Sequence, residues 1–383
     1  MKITGIITHC LSSPLDHPFA FSQGWVHRRN CTLVEIRTDQ GLTGWGEAFM
    51  QGMEPPQIAA ATINHALTPL LLNADARAIE MLWFRMYNAT RDYGRKGSVM
   101  SAISAIDMAL WDLAGKYYGQ PVYRLLGGPF RTEVQPYATG FYRLTGQGEA
   151  GRLADEARRH LDNGFSLMKI KLGFGLADDI AVMTAIGEAL AGHDVGLMID
   201  TNHAYGRAEA LRLGRALEPL NLRWYEEPVV PEDLAGYAEL RRALSMPIAG
   251  GENEHSLYGF APLIESGCID IAQPDIGSCG GITAVRHITA LAQAHGVMVN
   301  PHVWGSAVAQ AASLQVLAAL PIAHHSLMPL APVLEYDQSE HPFRRDLVDH
   351  PVTMVDGRVA IADRPGLGIE IDPATLARFR LPE

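Results

Sequence analysis

Three carboxylates, Asp200, Glu226 and Glu252, stand at even intervals of 26 residues. Each falls at the end of a short apolar run: VGLMID, LRWYEEP and MPIAGGE. Brought together without a partner, three carboxylates repel, and some take up protons. A divalent cation resolves the conflict. All-oxygen ligation favours a hard metal, and Mg²⁺ keeps positions open for water or substrate. Asn202, His203 and Asn253 flank these positions and are candidates to orient ligands or touch substrate.

Lys169 and Lys171 form KIK inside an apolar run. A period of two puts both on one face of a strand. Lysine ordinarily titrates near ~10.4, whereas a useful base sits at about 7–8. Lowering it that far takes roughly 4 kcal/mol, within reach of burial beside a second cation. Asp275 and His302 end two successive runs. A carboxylate holding one ring nitrogen fixes the tautomer and frees the other for acid or base work. Glu335, in VLEYD, suits a hydrogen bond to a substrate oxygen if it is protonated. Near the N-terminus, His17, His27, Arg28 and Arg29 favour a polar, anionic substrate, and Phe19, Phe21 and Trp25 pull the other way. A base on each side of a metal-bound carboxylate suits removal of the proton from the adjacent carbon, with the enediolate stabilised by the metal. Racemisation, dehydration and lactone opening all follow from that intermediate.

Such a constellation needs strand ends that converge. Lys171, Asp200, Glu226, Glu252, Asp275 and His302 follow one another at 29, 26, 26, 23 and 27 residues. Each closes an apolar run, and helical patterns such as AEALRLGRALEPL and GITAVRHITALAQAHG lie between the runs. That is the period of βα units in a barrel, whose strand ends meet at one mouth. An open doubly wound sheet spreads them along an edge. Residues 131–345 are therefore read as the barrel. Residues 1–130 read as a small α+β domain, strand-rich to about 45 with a hairpin turn at DQG, then helical. SAISAIDMALWDLAGKYYG is a helix with Gly at its C-cap. The tail, 346–383, is expected to pack on this first domain.

Composition narrows the classes. Of 383 residues, 48% are apolar and 19% charged, so a large core is within reach. A formal charge of −11 argues against nucleic acid. Four cysteines without a CxxC pair read as reduced thiols in a cytoplasmic protein. Residues 287–334 carry no Asp, Glu, Lys or Arg, but Asn300, His302, Gln310 and Pro321 interrupt them. They read as buried core near a polar site, not as a membrane span. Two other classes compete. A zinc hydrolase needs His-rich ligation, and the 15 histidines include no HxH pair. A catalytically silent barrel is expected to have lost a base or a ligand, and here every position is filled.

The order KIK, DTN, EEP, GEN, QPD and NPHVWG resembles the mandelate racemase subgroup of the enolase superfamily, as do WGEA, ALWDLAGKYYG and PGLGIEI. The resemblance spans nearly the whole chain. It implies an α/β fold: a modified (β/α)₇β TIM-type barrel with an N-terminal α+β capping domain completed by the C-terminal segment. Specificity loops are implied near 17–29 and 49–54. It implies Mg²⁺ on Asp200, Glu226 and Glu252, with Lys171 as one acid/base tuned by Lys169. His302, paired with Asp275, is the implied opposing acid/base, and Glu335 a hydrogen-bond partner of the substrate carboxylate or enediolate. KIKLGFG, DTNHAY, EEPVVPE and LEYDQSEHPFR are similar to stretches of galactarolactone cycloisomerases, and sugar-acid dehydratases share the core residues. A racemase or epimerase of a 2-hydroxy acid is the alternative. GENEH places Glu254 and His255 in a loop expected to vary with substrate. A small-molecule carboxylate as substrate and a homo-oligomer are further implications.

Overall fold

The computed structural model describes residues 1–382. The chain opens with an antiparallel meander of β1 (Ile3–Phe21), β2 (Gly24–Thr38) and β3 (Thr43–Ala48). The helices Ile79–Thr90 and Ser98–Tyr118 follow. The second helix seats on β3 because TGWGEA has glycine where the two backbones meet. A Cβ on Gly46 would lie 1.9 Å from the carbonyl oxygen of Ala105. The helix ends where expected, at Gly119 with a left-handed φ of 64°. Residues 17–29 are not the loop that the sequence suggests. They continue β1 and β2 as a hairpin whose register shifts between Pro14 and Phe19, where residues 15–18 bulge opposite His27.

Eight parallel strands build the barrel: β5 (Pro136–Gly140), β6 (Leu167–Lys171), β7 (Gly196–Asp200), β8 (Trp224–Glu226), β9 (Ile248–Gly250), β10 (Ile271–Ala272), β11 (Met298–Val299) and β12 (Leu334–Asp337). Their order is β11-β10-β9-β8-β7-β6-β5-β12, with seven helices in the connections among the described residues. This is the (β/α)₇β arrangement. Its interior has a floor. Tyr137, Leu167, Met198, Trp224, Ala249, Ile271 and Met298, one from each of seven strands, pack with Val333 just ahead of β12. β11 and β12 stand at opposite ends of the hydrogen-bonded order, and side chains span the seam. The Val333 amide donates to Asn300 Oδ1 (2.7 Å), and the Val303 amide donates to Glu335 Oε2 (2.9 Å).

The tail does more than pack on the capping domain. Between the two regions, β4 (Glu133–Val134) pairs with β14 (Arg358–Ala360), which pairs with β13 (Met354–Val355). The chain then returns to the cap. Val122 donates to the Gly366 carbonyl (3.0 Å), and Leu381 donates to the Cys10 carbonyl (2.8 Å). The uncharged stretch is core only in part. Its helix Ala307–Ala319 is buried almost throughout, yet Leu327 and Met328 beyond it are 99% and 91% exposed. The four cysteines are free. Among the described residues, no helix is long and apolar enough to cross a membrane.

One buried carboxylate ties cap, helix and tail together. Asp112 accepts from the amides of Trp45 (3.0 Å) and Leu367 (2.8 Å) and pairs with Lys116 (2.8 Å). Asp112→Ala orphans two buried donors, at about 1–3 kcal/mol each. Denaturant unfolding is expected to show a loss of roughly 2–6 kcal/mol, and a loss below 0.5 kcal/mol would contradict the tie.

Candidate active site

Strand register sets the first layer of the site. Lys171 stands opposite Asp200, and Asp200 opposite Glu226. Glu252 follows β9 by two residues. Oxygens of Asp200, Glu226 and Glu252 lie within 4.8 Å of one another, and all three residues are buried. Glu252 Oε2 has no hydrogen-bond partner. An all-oxygen triad with an orphaned buried oxygen fits a hard divalent cation.

Lys169 sits beneath this triad with no exposed surface. Its Nζ donates to Glu226 Oε1 (2.6 Å) and pairs with Glu335 Oε1 (2.8 Å). Lys171 Nζ donates to Asp200 Oδ2 (2.5 Å) and to Asn202 Oδ1 (3.1 Å). The lysines do not titrate low, as their mutual repulsion suggested. Burial pulls Lys171 down, but the Asp200 carboxylate, helped by Glu252, outweighs it, so the ammonium is held above its ordinary range. For Lys169, Glu226 and Glu335 outweigh burial in the same way. Counting only the neighbouring ammonium omitted the carboxylates. Asp200, Glu226 and Glu252 would hold a divalent cation, whose charge would act against the ammonium form of Lys171.

Glu226 is gripped from three sides, by Lys169, by Trp224 Nε1 (2.9 Å) and by Gln273 Nε2 (2.6 Å). Burial still raises it to about 7, against the pull of Lys169. His302 Nδ1 meets Asp275 Oδ2 at 2.7 Å, and Nε2 lies 3.4 Å from Glu252 Oε2. Burial lowers its pKa, but Glu252, Glu335 and Asp275 together carry it up to about 10. His302 is therefore an imidazolium at neutral pH, with Nδ1–H donating to Asp275 and Nε2–H turned to the triad.

Part of this network opens onto one pocket. It is lined by Lys171, Asn202, Glu252 and His302 on one side and by Phe21, Phe49, Gln51, Tyr142 and Trp304 on the other. The remaining expected residues lie elsewhere. Glu335 is fully buried and ionised, because Lys169, His302 and Lys171 outweigh burial. Its oxygens accept from Thr139 Oγ1 (2.8 Å), Lys169 and the Val303 amide. It has no proton to give a substrate and locks the seam instead. Arg29 is withdrawn from the pocket and stacks 4.0 Å from the Trp304 ring while pairing with Asp337 (2.8 Å). His27 is exposed on the hairpin beside Trp25. His203 and Asn253 gather around Glu227: the His203 amide donates to its carbonyl (2.8 Å) and Asn253 Nδ2 to Oε1 (2.8 Å). Of the flanking polar residues, Asn202 alone reaches the pocket, and its Nδ2 donates to Glu252 Oε1 (3.3 Å). Glu254 and His255 turn away to Lys96 (2.6 Å) and the Gly97 amide (3.2 Å).

The sequence reading did not assign Phe49, Gln51, Tyr142 or Trp304. Phe49 and Gln51 fall in the second implied specificity loop, and Trp304 in PHVWG. Tyr142 follows β5 as Lys171 ends β6, but a survey of ionisable strand ends that begins at Lys171 passes over it. Asn202, His203 and Glu227 carry φ of 41°, 53° and 44°. Left-handed backbone at non-glycine residues clusters where a site over-determines its loops.

Two family models match the chain: the mandelate racemase/muconate lactonizing enzyme N-terminal domain over residues 3–127, and the enolase C-terminal domain-like model over 152–375. The chain belongs to the mandelate racemase/muconate lactonizing enzyme family of the enolase superfamily and is an enzyme of that family. It is 42% identical to D-galactarolactone cycloisomerase of Agrobacterium fabrum over 383 residues, 100% of both chains. The 3,6-anhydro-D-galactonate cycloisomerase structure from Zobellia galactanivorans superposes with a TM-score of 0.89 at 37% identity, covering 100% of both. L-talarate/galactarate dehydratase from Salmonella typhimurium LT2 gives 0.88 at 31%, covering 100% of this chain and 92% of its own. A variant of L-talarate/galactarate dehydratase holds Mg and L-glucarate.

The His302 environment makes a pH prediction. With its folded pKa raised to about 10 from 6.5, the stability that His302 contributes is complete below about pH 6.5 and is lost as the pH rises through about 10. In EDTA, an imidazole NMR signal absent from His302→Asn is expected to titrate near pH 10. Titration near 6.5 would contradict the charge balance.

Proposed function

We propose that this enzyme removes the proton next to the carboxylate of a sugar-acid lactone and opens the ring, giving an isomeric 2-keto acid. The observation that carries the reading is the placement of Lys171 and His302 on one pocket with the carboxylate triad. Asp200, Glu226 and Glu252 would hold Mg²⁺. When bound, it would lower the energy of negative charge building on the substrate carboxylate.

One of Lys171 and His302, as the free base, takes the proton from the α-carbon. The C–H electron pair passes into the carboxylate as an enediolate. That pair returns to form the Cα–Cβ double bond as the Cβ–O bond breaks. The ring oxygen leaves with its pair, as the carboxylate of the opened lactone. The enol then takes a proton at Cβ from the opposite, protonated residue while its O–H proton leaves to solvent, so the product is the isomeric keto acid with its new carboxyl group ionised. Asp275 keeps the His302 ring oriented throughout, and Asn202 braces Lys171 and Glu252.

A lactone is favoured over an open-chain diacid by the far wall. Beyond the triad the pocket is bounded by Phe21, Phe49, Tyr142 and Trp304, and Lys171 and His302 are the only cations lining it. Arg29 is committed to Asp337. A second carboxylate would find no further cation there, only the uncharged amide of Gln51. The full-length identity to a galactarolactone cycloisomerase supports the same choice. Dehydration is the second reading, favoured by His302 being an acid in place to protonate a departing hydroxyl.

Proton NMR in D₂O with Mg²⁺ and a panel of aldonic acids, aldaric acids and their lactones tests this. A lactone consumed to a keto acid of unchanged formula, with one deuterium at Cβ, is expected. Keto acid from an open-chain acid with loss of water would replace the proposal with dehydration. Lys171→Ala and His302→Asn are each expected to lower turnover by ~10²–10⁴-fold, the usual contribution of a general acid or base. Near-normal turnover in both would remove the two-base site. Glu226→Gln is expected to weaken Mg²⁺ binding in a calorimetric titration, and an unchanged affinity would remove it from the ligand set.

A further inference from the structure

The far wall of the pocket is almost entirely ring carbon. Phe19 packs 4.3 Å from Tyr142, and Phe49 stands edge-on to Trp304 (6.3 Å) and to His302 (5.5 Å). Within this wall the Tyr142 hydroxyl is tied into a directed network. The indole N–H of Trp304, which can only donate, gives its hydrogen to the Tyr142 oxygen at 2.7 Å. The phenol hydrogen points to Asp337 Oδ1 at 3.5 Å. Arg29 fixes Asp337 as the acceptor by donating to Oδ2 at 2.8 Å, and its Nε is held by the Glu340 carbonyl (3.0 Å). Ser339 also donates to Asp337 Oδ1 (2.7 Å). With both hydrogens directed, the Tyr142 oxygen keeps one lone pair, and Tyr142 lines the pocket.

We propose that Tyr142 is a specificity-determining residue whose oxygen accepts a hydrogen bond from a hydroxyl group on the substrate ring, with Arg29 acting through Asp337 as a positioning residue that sets this direction. The inference rests on the lactone reading above and deepens it, because it specifies which end of the substrate the cap-side wall recognises. At the Tyr142 oxygen, a hydroxyl that presents its hydrogen finds an acceptor, whereas a carboxylate, which only accepts, finds no donor. An arginine buried 4.0 Å from Trp304 is then explained without substrate contact.

The experiment pairs the enzyme change with a substrate change. Steady-state kinetics are measured for wild type and Tyr142→Phe, with the lactone turned over best in the panel and with analogues in which each ring hydroxyl in turn is replaced by hydrogen or by fluorine. Tyr142→Phe is expected to lower kcat/KM by roughly 10- to 100-fold, the usual worth of one buried hydrogen bond. At one ring position, the deoxy analogue should lose a similar factor with wild type and lose little more with the variant. The fluoro analogue at that position should behave like the deoxy one, because fluorine cannot donate. Losses that multiply at every position would overturn the proposal, as would a fluoro analogue that restores activity. The analogue series with wild type alone keeps the test decisive if the variant folds poorly, which thermal melting reports. If wild type turns over no lactone, the lactone reading falls and this inference falls with it. If wild type does turn one over and the coupling is absent, this inference alone falls.

Discussion

An ammonium group with no access to water organises this barrel. Lys169 Nζ has carboxylates at 2.6, 2.8 and 3.7 Å, from Glu226, Glu335 and Asp200. Desolvating so many charges costs several kcal/mol per ion unless the geometry is close and the other lone pairs are filled. Here they are filled. Glu226 takes the Trp224 and Gln273 hydrogens as well, and Glu335 takes those of Thr139 and the Val303 amide. The network therefore runs from a carboxylate of the triad, through Lys169, to Glu335 and on to the residue after His302. One buried cation fixes the triad and the opposing imidazolium relative to each other across the seam between β11 and β12. The apolar floor beneath holds the network up, and Trp224 belongs to both.

The segment that carries His302 and Trp304 is short of backbone partners, and side chains from distant elements supply them. Glu47, on β3 of the capping domain, accepts from the Ser306 amide (2.8 Å) and the Ala309 amide (3.0 Å), which caps the helix Ala307–Ala319. Arg344 donates to the carbonyls of Val303 (3.0 Å) and Gly305 (2.7 Å). Opposite, the hairpin of β1 and β2 lies across the mouth, where Ser22 and Gln23 donate to the carbonyls of Thr201 (2.9 Å) and Asn202 (2.7 Å). The cap thus braces the segments that follow β7 and β11 while contributing Phe21, Phe49 and Gln51 to the pocket.

The barrel was legible because its period is local. Each βα unit repeats an apolar run that ends in a charged residue, so Lys171, Asp200, Glu226, Glu252, Asp275 and His302 announce themselves. What escaped depends on contacts between distant segments. Arg29 reads as an anion binder by type, and only the approach of Asp337, 308 residues away, turns it inward. Glu335 reads as a substrate ligand, and the amide of Val303 and the ammonium of Lys169 claim its oxygens. The ion pair between Lys171 and Asp200 escapes for the same reason, since the register that sets them side by side is not written in KIK. The hairpin at 17–29 was hidden by Pro14, Pro18 and a bulge, which break the alternation that marks a strand.

Charge balance links these points to the choice of substrate. Asp200, Glu226, Glu252, Asp275 and Glu335 are five carboxylates within one buried network, facing the three cations Lys169, Lys171 and His302. Glu227 is left out of that count, because burial, with Glu252 and Asp200 nearby, pushes its carboxyl well above the usual carboxylate range. These side chains are therefore short by two positive charges, and burial, with Asp200, Glu335 and Glu252 adding to it, raises Glu226 to about 7. A divalent cation closes the gap. The proposed substrate would add one negative charge with its carboxylate, and a second one would enter a pocket whose far wall offers rings, the amide of Gln51 and a tyrosine oxygen with its hydrogen already directed elsewhere. That wall adds no cation to Lys171 and His302, and Gln51 is its uncharged donor, so under the proposed reading it suits an uncharged ring, against which the aromatic faces can pack.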